Sequence, residues 1–156
     1  MGRLTEAHPA FTGNDTVHRE EGAVRVDELM QKDVKTIAPE ATVAELVQAM
    51  ADSRVSGLPV MTPSGEMVGV VSVTDVLQAS AEHDDAVMRE RLFEHQMARD
   101  LMTPNPYVIE PEADVREAAK HMLYADVRRL FVEDEGRLVG VISQTDIAHA
   151  VGTARL

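Results

Sequence analysis

Cysteine and tryptophan are absent from this 156-residue chain, and only 3% of its residues are aromatic. Without thiols there are no disulfides, thiolate metal ligands or cysteine nucleophiles, and a reducing compartment is permitted. Without aromatic platforms, the base-stacking surfaces of single-strand nucleic-acid binders are out of reach. Basic charge is scarce as well: 15 Lys and Arg against 27 Asp and Glu give a net charge of −12. Affinity for a phosphate backbone comes from Lys and Arg neutralising phosphates, so this balance disfavours nucleic acid as a partner. No apolar run approaches the roughly 20 residues of a membrane span, and Met1 to Ala10 is polar with no secretory leader. The expected setting is therefore cytoplasmic, with no membrane partner.

Catalytic signatures are missing too. There is no Gly-x-Ser-x-Gly elbow, no Walker loop and no His-Glu-x-x-His, and the six histidines form no pair at metal-ligand spacing. Neither an enzyme nor a resident metal is expected. What the chain does have is aliphatic: 44% of its residues are hydrophobic, nine of them Met, and at this size a folded chain hides roughly 70% of its unfolded surface. Met30, Met50, Met67, Met102 and Met122 fall at apolar positions and read as core filling.

The pattern in that aliphatic material is a duplication. Gly69-Val70-Val71-Ser72-Val73-Thr74-Asp75 returns 71 positions on as Gly140-Val141-Ile142-Ser143-Gln144-Thr145-Asp146. Leu29-Met30 returns as Leu101-Met102, and Pro39 as Pro111. Val34 to Ile37 and Tyr107 to Ile109 are β-branched runs ending two residues before those prolines, and read as brief strands. Thr42-x-x-Glu45 and Asp114-x-x-Glu117 read as capping boxes. The apolar stripes Val43, Leu46, Val47, Met50 and Val115, Ala118, Ala119, Met122 follow at helical spacing. Hairpins follow, with turns at Thr62 to Gly65 and Glu133 to Gly136, and a helix starts near Ser72 and near Ser143. The expected division is an arm over 1–25, a first repeat over 26–81, a helical linker over 82–98 and a second repeat over 99–156. Met88, Leu92 and Phe93 are placed to line one side of the linker helix, against a second subunit. The fold class is α/β (α+β): two pseudo-twofold-related β-α-β-β-α repeats packed through their sheets, since neither has enough elements to bury its own sheet.

The ordered set of Leu-Met, a strand ending before proline, Leu58-Pro59-Val60, and Gly-hydrophobic-hydrophobic-Ser-x-Thr-Asp resembles a tandem pair of CBS domains, the Bateman module, over residues 26 to 151. The resemblance implies a non-enzymatic regulatory module binding adenine nucleotides (AMP, ADP or ATP, the last with Mg²⁺) in the cleft between repeats. It implies a homodimer and a separate protein effector as partners. Carried over by position, one site takes Thr36, Ile37, Leu58, Pro59, Ser72, Thr74 and Asp75. The other takes Val108, Ile109, Leu130, Phe131, Ser143, Thr145 and Asp146. An ionised Asp accepts hydrogen bonds from both ribose hydroxyls, and a helix start with a free hydroxyl suits phosphate. The second copy departs from the first in having Arg128 and Arg129 where the first has Ser56 and Gly57; a guanidinium there can grip phosphate in a bidentate way. The Asp146 half is accordingly expected to bind charged nucleotides more tightly. Two plainer readings compete. Ser72-x-x-Asp75 and Ser143-x-x-Asp146 also satisfy the rule for a helix cap alone. Phe131 and Val108, replacing Pro59 and Thr36, would suit a constitutive dimerisation module with degenerate sites.

Overall fold

The structure, a computed structural model, describes residues 23–153. Most of the expected arm, residues 1–22, lies outside the described residues. The first half comprises α1 (Val26–Leu29), α2 (Val43–Ser53), β1 (Gly57–Met61), β2 (Met67–Ser72) and α3 (Val73–Ala81), followed by α4 (Ala86–His95). The second comprises α5 (Ala98–Leu101), β3 (Thr103–Pro104), β4 (Val108–Ile109), α6 (Val115–Ala125), β5 (Arg129–Asp134), β6 (Arg137–Ser143) and α7 (Gln144–Gly152). Two three-stranded sheets, β1-β2-β3 and β4-β5-β6, give the mixed α/β architecture expected of a duplicated chain.

Local chemistry accounts for most element ends. Thr42 and Glu45 form the reciprocal box at the start of α2: Glu45 N–H donates to Thr42 Oγ1 at 3.2 Å, and Thr42 N–H to Glu45 Oε2 at 2.9 Å. The matching box at α6 is a correction. Asp114 accepts from Arg116 N–H at 2.8 Å without a reciprocal bond from Glu117. A box there would set two carboxylates against one another, which the neutral threonine of α2 avoids. Both helices end on a left-handed residue, Arg54 (φ 54°) and Asp126 (φ 53°). Val55 and Val127 then donate back to Met50 and Met122 carbonyls. The β5–β6 turn places Glu135 (φ 50°) and Gly136 (φ 79°) at positive φ, as a two-residue hairpin loop demands.

The brief strand expected at Val34 to Ile37 shrinks to one parallel bridge, Ile37 to Val60, whereas its counterpart β4 pairs with β5 at Val108 and Ile109. The difference follows from one residue. In the second repeat Phe131 N–H donates to Tyr107 O at 3.2 Å. The equivalent donor in the first repeat is Pro59, which has no N–H.

Each repeat completes its core with a segment of the other. Val26 of α1, fully buried, lies in the cluster of Ile109, Val115, Ala118, Met122, Leu130, Val132 and Ile142. Ala98 of α5, also fully buried, lies with Val43, Leu46, Met50, Leu58, Val60, Val71 and Val76. The backbone crosses in the same symmetric way: β3 pairs with β2 through Thr103 and Val70, and Gln31 bridges Val141 of β6. These crossings explain both repeated landmarks at once. A Cβ on Gly69 would stand 2.6 Å from Met102 Sδ and 2.9 Å from Thr103 O; one on Gly140 would stand 2.5 Å from Met30 Sδ and 2.9 Å from Gln31 O. The repeated glycine is the socket for the other repeat's repeated methionine.

The helix-covered face of each sheet carries Leu58, Val60 and Val71, or Leu130, Val132 and Ile142. By strand alternation Pro59 and Phe131 belong to the opposite faces, and both are buried, which leaves the other repeat as the surface that covers them. α4 is helical as expected of the linker. It turns Leu92 (buried) and Phe93 inward onto its own repeat, so these two are core residues and not the subunit-facing side expected of them, while Met88 stays exposed.

Candidate functional site

The repeated Ser-x-x-Asp closes a helix start in both copies. Ser72 N–H donates to Asp75 Oδ2 at 2.8 Å, and Asp75 N–H returns to Ser72 Oγ at 3.3 Å. Ser143 N–H donates to Asp146 Oδ2 at 2.8 Å, and Asp146 N–H to Ser143 Oγ at 3.1 Å. The capping reading is thus realised, but it engages only one oxygen of each carboxylate. Among the described residues nothing donates to Asp75 Oδ1, and Asp146 Oδ1 receives only the Gln31 carboxamide at 3.4 Å. Each half-buried Asp therefore keeps acceptor capacity for a hydroxyl donor after satisfying its helix.

The start of β5 borders the second helix start through its backbone. Gln144 N–H donates to Arg128 O at 2.9 Å, and Arg129 pairs with Ser143 in the ladder. In the first repeat Val73 N–H donates to Ser56 O, and Gly57 pairs with Ser72. Arg128 and Arg129 thus sit beside the start of α7, and among the described residues neither is in an ion pair despite the acidic surface. Guanidinium groups without carboxylate partners beside helix N–H groups are suited to an anion.

The other carried-over positions divide by side-chain direction. Thr36, Thr74, Val108 and Thr145 are exposed. Pro59 and Phe131 are buried, on the sheet faces opposite the helix-covered cores. Ile37, Leu58, Ile109 and Leu130 pack into the helix-covered cores, Leu58 and Leu130 almost completely buried. The strand period of two turns these four side chains away from the face that carries Pro59 and Phe131.

Beside Asp146 lies a pocket of about 260 Å³ lined by Glu28, Leu29, Thr145, Asp146, His149 and Ala150. Its wall is built from both repeats, because the crossing of α1 delivers Glu28 and Leu29 onto α7. Sequence reading passed over Glu28 and Gln31, since nothing local marks a residue whose role depends on a partner more than a hundred positions away. The pocket is slightly below the usual range for a whole small molecule and suits a sugar-sized fragment. Its two carboxylates favour hydroxyl donors and repel phosphate. Among the described residues no cluster of three or more His, Asp or Glu is arranged to hold a metal ion. Nor is any helix long and apolar enough to cross a membrane.

Comparison with known proteins agrees with the duplication. The model of the CBS domain matches twice, over residues 26–82 and 98–153. Inosine-5′-monophosphate dehydrogenase of Methanocaldococcus jannaschii is 30% identical over 148 residues, an alignment taking in 94% of this chain but 27% of the dehydrogenase. The chloroplastic CBS domain-containing protein CBSX1 of Arabidopsis thaliana is 28% identical over 152 residues, 83% of this chain and 64% of its own length. The chain thus spans about a quarter of the first of these relatives and just under two thirds of the second. Among solved structures, CBSX2 in complex with AMP superposes with a TM-score of 0.71 at 26% identity, covering 85% of this chain and 98% of the chain in that crystal structure. With both repeats matched, the chain belongs to the CBS domain family as a tandem CBS pair.

Proposed function

We propose that this CBS pair is a regulatory module that binds adenine nucleotides of the AMP, ADP and ATP class between its repeats and signals by changing repeat or dimer arrangement. The observation that carries the reading is the half-used carboxylate: Asp75 and Asp146 each cap a helix with Oδ2 and hold Oδ1 outside the cap. In a chain that superposes on an AMP-bound relative at 26% identity, that oxygen is the seat for ribose hydroxyls. Phosphate then lies toward the helix starts, with Arg128 and Arg129 serving the second. On this reading the Asp146 half holds charged nucleotides more tightly, and output passes to a separate protein or through a homodimer.

Thermal shift with AMP, ADP, ATP and S-adenosylmethionine tests the ligand class. A ligand at 100 times its Kd stabilises by about 2.7 kcal/mol, equivalent to a rise in Tm of about 5–10 °C at this chain length. No shift with any of the four contradicts the reading.

A second reading, constitutive dimerisation with degenerate sites, is favoured by one observation. Leu77 (64% exposed) on α3, and Leu123 (76%) and Tyr124 (83%) on α6, are large side chains left exposed. It requires the Asp75→Asn/Asp146→Asn protein to sediment and capture partners as the wild type does, with and without AMP.

A further inference from the structure

The two helix starts are duplicates in sequence but not in wiring, and the difference is one side chain on a crossing segment. Gln31 is fixed on the edge of β6 by both backbone groups: its N–H donates to Val141 O at 2.8 Å and its O accepts from Val141 N–H at 2.9 Å. From there its Nε2 reaches Asp146 Oδ1, the oxygen the helix cap leaves over. The symmetry-related place in the first repeat is Thr103, paired with Val70. Its side chain is two atoms shorter, and no donor reaches Asp75 Oδ1 among the described residues.

We infer that Gln31 is a specificity-determining latch on the second site: its carboxamide lies against the Asp146 oxygen that a ribose hydroxyl needs, so an arriving hydroxyl competes with it for that oxygen and displaces it. The inference rests on the nucleotide reading proposed above. Displacement also gives the site a signal. Gln31 belongs to the first repeat's crossing segment and is the next residue but one after Leu29, which walls the pocket. A hydroxyl arriving on Asp146 therefore removes a contact between repeats. The Asp75 site has no such contact to break, so occupancy of the two sites is not equivalent in effect. The bond is long and exposed, which places the penalty in the range of an ordinary hydrogen bond, below that of a charge-assisted one.

The test uses the full chain carrying Asp75→Asn, so that only the Asp146 site is read, titrated calorimetrically with AMP and with 2′,3′-dideoxy-AMP. Gln31→Thr, which installs the first repeat's residue, should tighten AMP about 2–5-fold and leave the dideoxy analogue unchanged. The exposed position and intact backbone bonds spare the fold, and Gln31→Ala should agree. In the Gln31-containing protein, the side-chain amide signal of Gln31 should move on AMP addition and stay still with the dideoxy analogue. If AMP binding still requires Asp146 but is unchanged or weakened by Gln31→Thr, the latch is overturned while the nucleotide reading stands. If AMP binds no form of the protein, the nucleotide reading falls and the latch with it.

Discussion

Replacing Gly69 by alanine drives one methyl group into the crossing between repeats. The new Cβ would meet Met102 Sδ at 2.6 Å, Thr103 O at 2.9 Å and Met102 Cγ at 3.0 Å. The thioether can swing aside, because methionine has several rotatable bonds. The Thr103 carbonyl cannot, because it belongs to the backbone of β3, which is paired with β2. Relief therefore requires the crossing strand to shift, a form of overpacking that costs about 1–3 kcal/mol. For a loss near 2 kcal/mol, Tm falls by about 4–8 °C at this chain length. Gly140→Ala should cost the same, since Met30 and Gln31 stand at nearly identical distances. Gly152→Ala in the last turn of α7 is the control: no atom lies within 4 Å of its Cβ, and alanine is the better helix former. Adding Met102→Ala to Gly69→Ala removes the sulfur contact but leaves the carbonyl, so a double-mutant cycle followed by circular dichroism in urea should show a coupling of at least about 0.5 kcal/mol. The reasoning fails if Gly69→Ala unfolds like Gly152→Ala, or if the cycle is additive.

Three further outcomes follow from the packing. Leu46→Ala and Leu130→Ala, at fully buried positions in separate cores, should each cost about 2–5 kcal/mol by urea unfolding. Because α1 and α5 are traded between cores, neither 23–82 nor 97–153 alone should give a cooperative thermal transition as a monomer, while the two co-expressed halves should co-purify and melt together. Asp75→Ala, which removes the carboxylate bonded to Ser72 N–H and Oγ, should lose about 1 kcal/mol of ligand-free stability, whereas Asp75→Asn, which keeps an acceptor, should lose less in the same unfolding assay.

Legibility in the sequence followed the range of the interaction. The Thr42–Glu45 box, the two hairpins and the stripe of Val115, Ala118 and Met122 depend on neighbours a few residues away, and all could be read directly. Gly69, Gly140, Met30 and Met102 were visible as repeated landmarks, but their partnership was not, because each pair joins segments remote in sequence. The missing strand at Val34 to Ile37 depended on whether the residue across the ladder had an N–H, and Pro59 does not. At the site, the Ser-Asp pairs were legible as helix starts. Which carboxylate oxygen remained free was not legible, nor was the arrival of Glu28 and Gln31 beside Asp146, since both come by the crossing of the first repeat. The strand period likewise decided that Leu58 and Leu130 serve the core while Pro59 and Phe131 face the other repeat.

The central claim is that the carboxylate oxygens left over by the caps at the two helix starts seat the ribose of an adenine nucleotide. Isothermal titration of AMP into the wild type and into Asp75→Asn, Asp146→Asn and the double variant addresses it most directly. The account predicts saturable binding by the wild type, with each single variant losing one class of site and the double variant losing both. It also predicts that ATP affinity falls more from Asp146→Asn than from Asp75→Asn, because Arg128 and Arg129 flank only the second start. Full AMP binding by the double variant, with its fold intact by circular dichroism, would contradict the account.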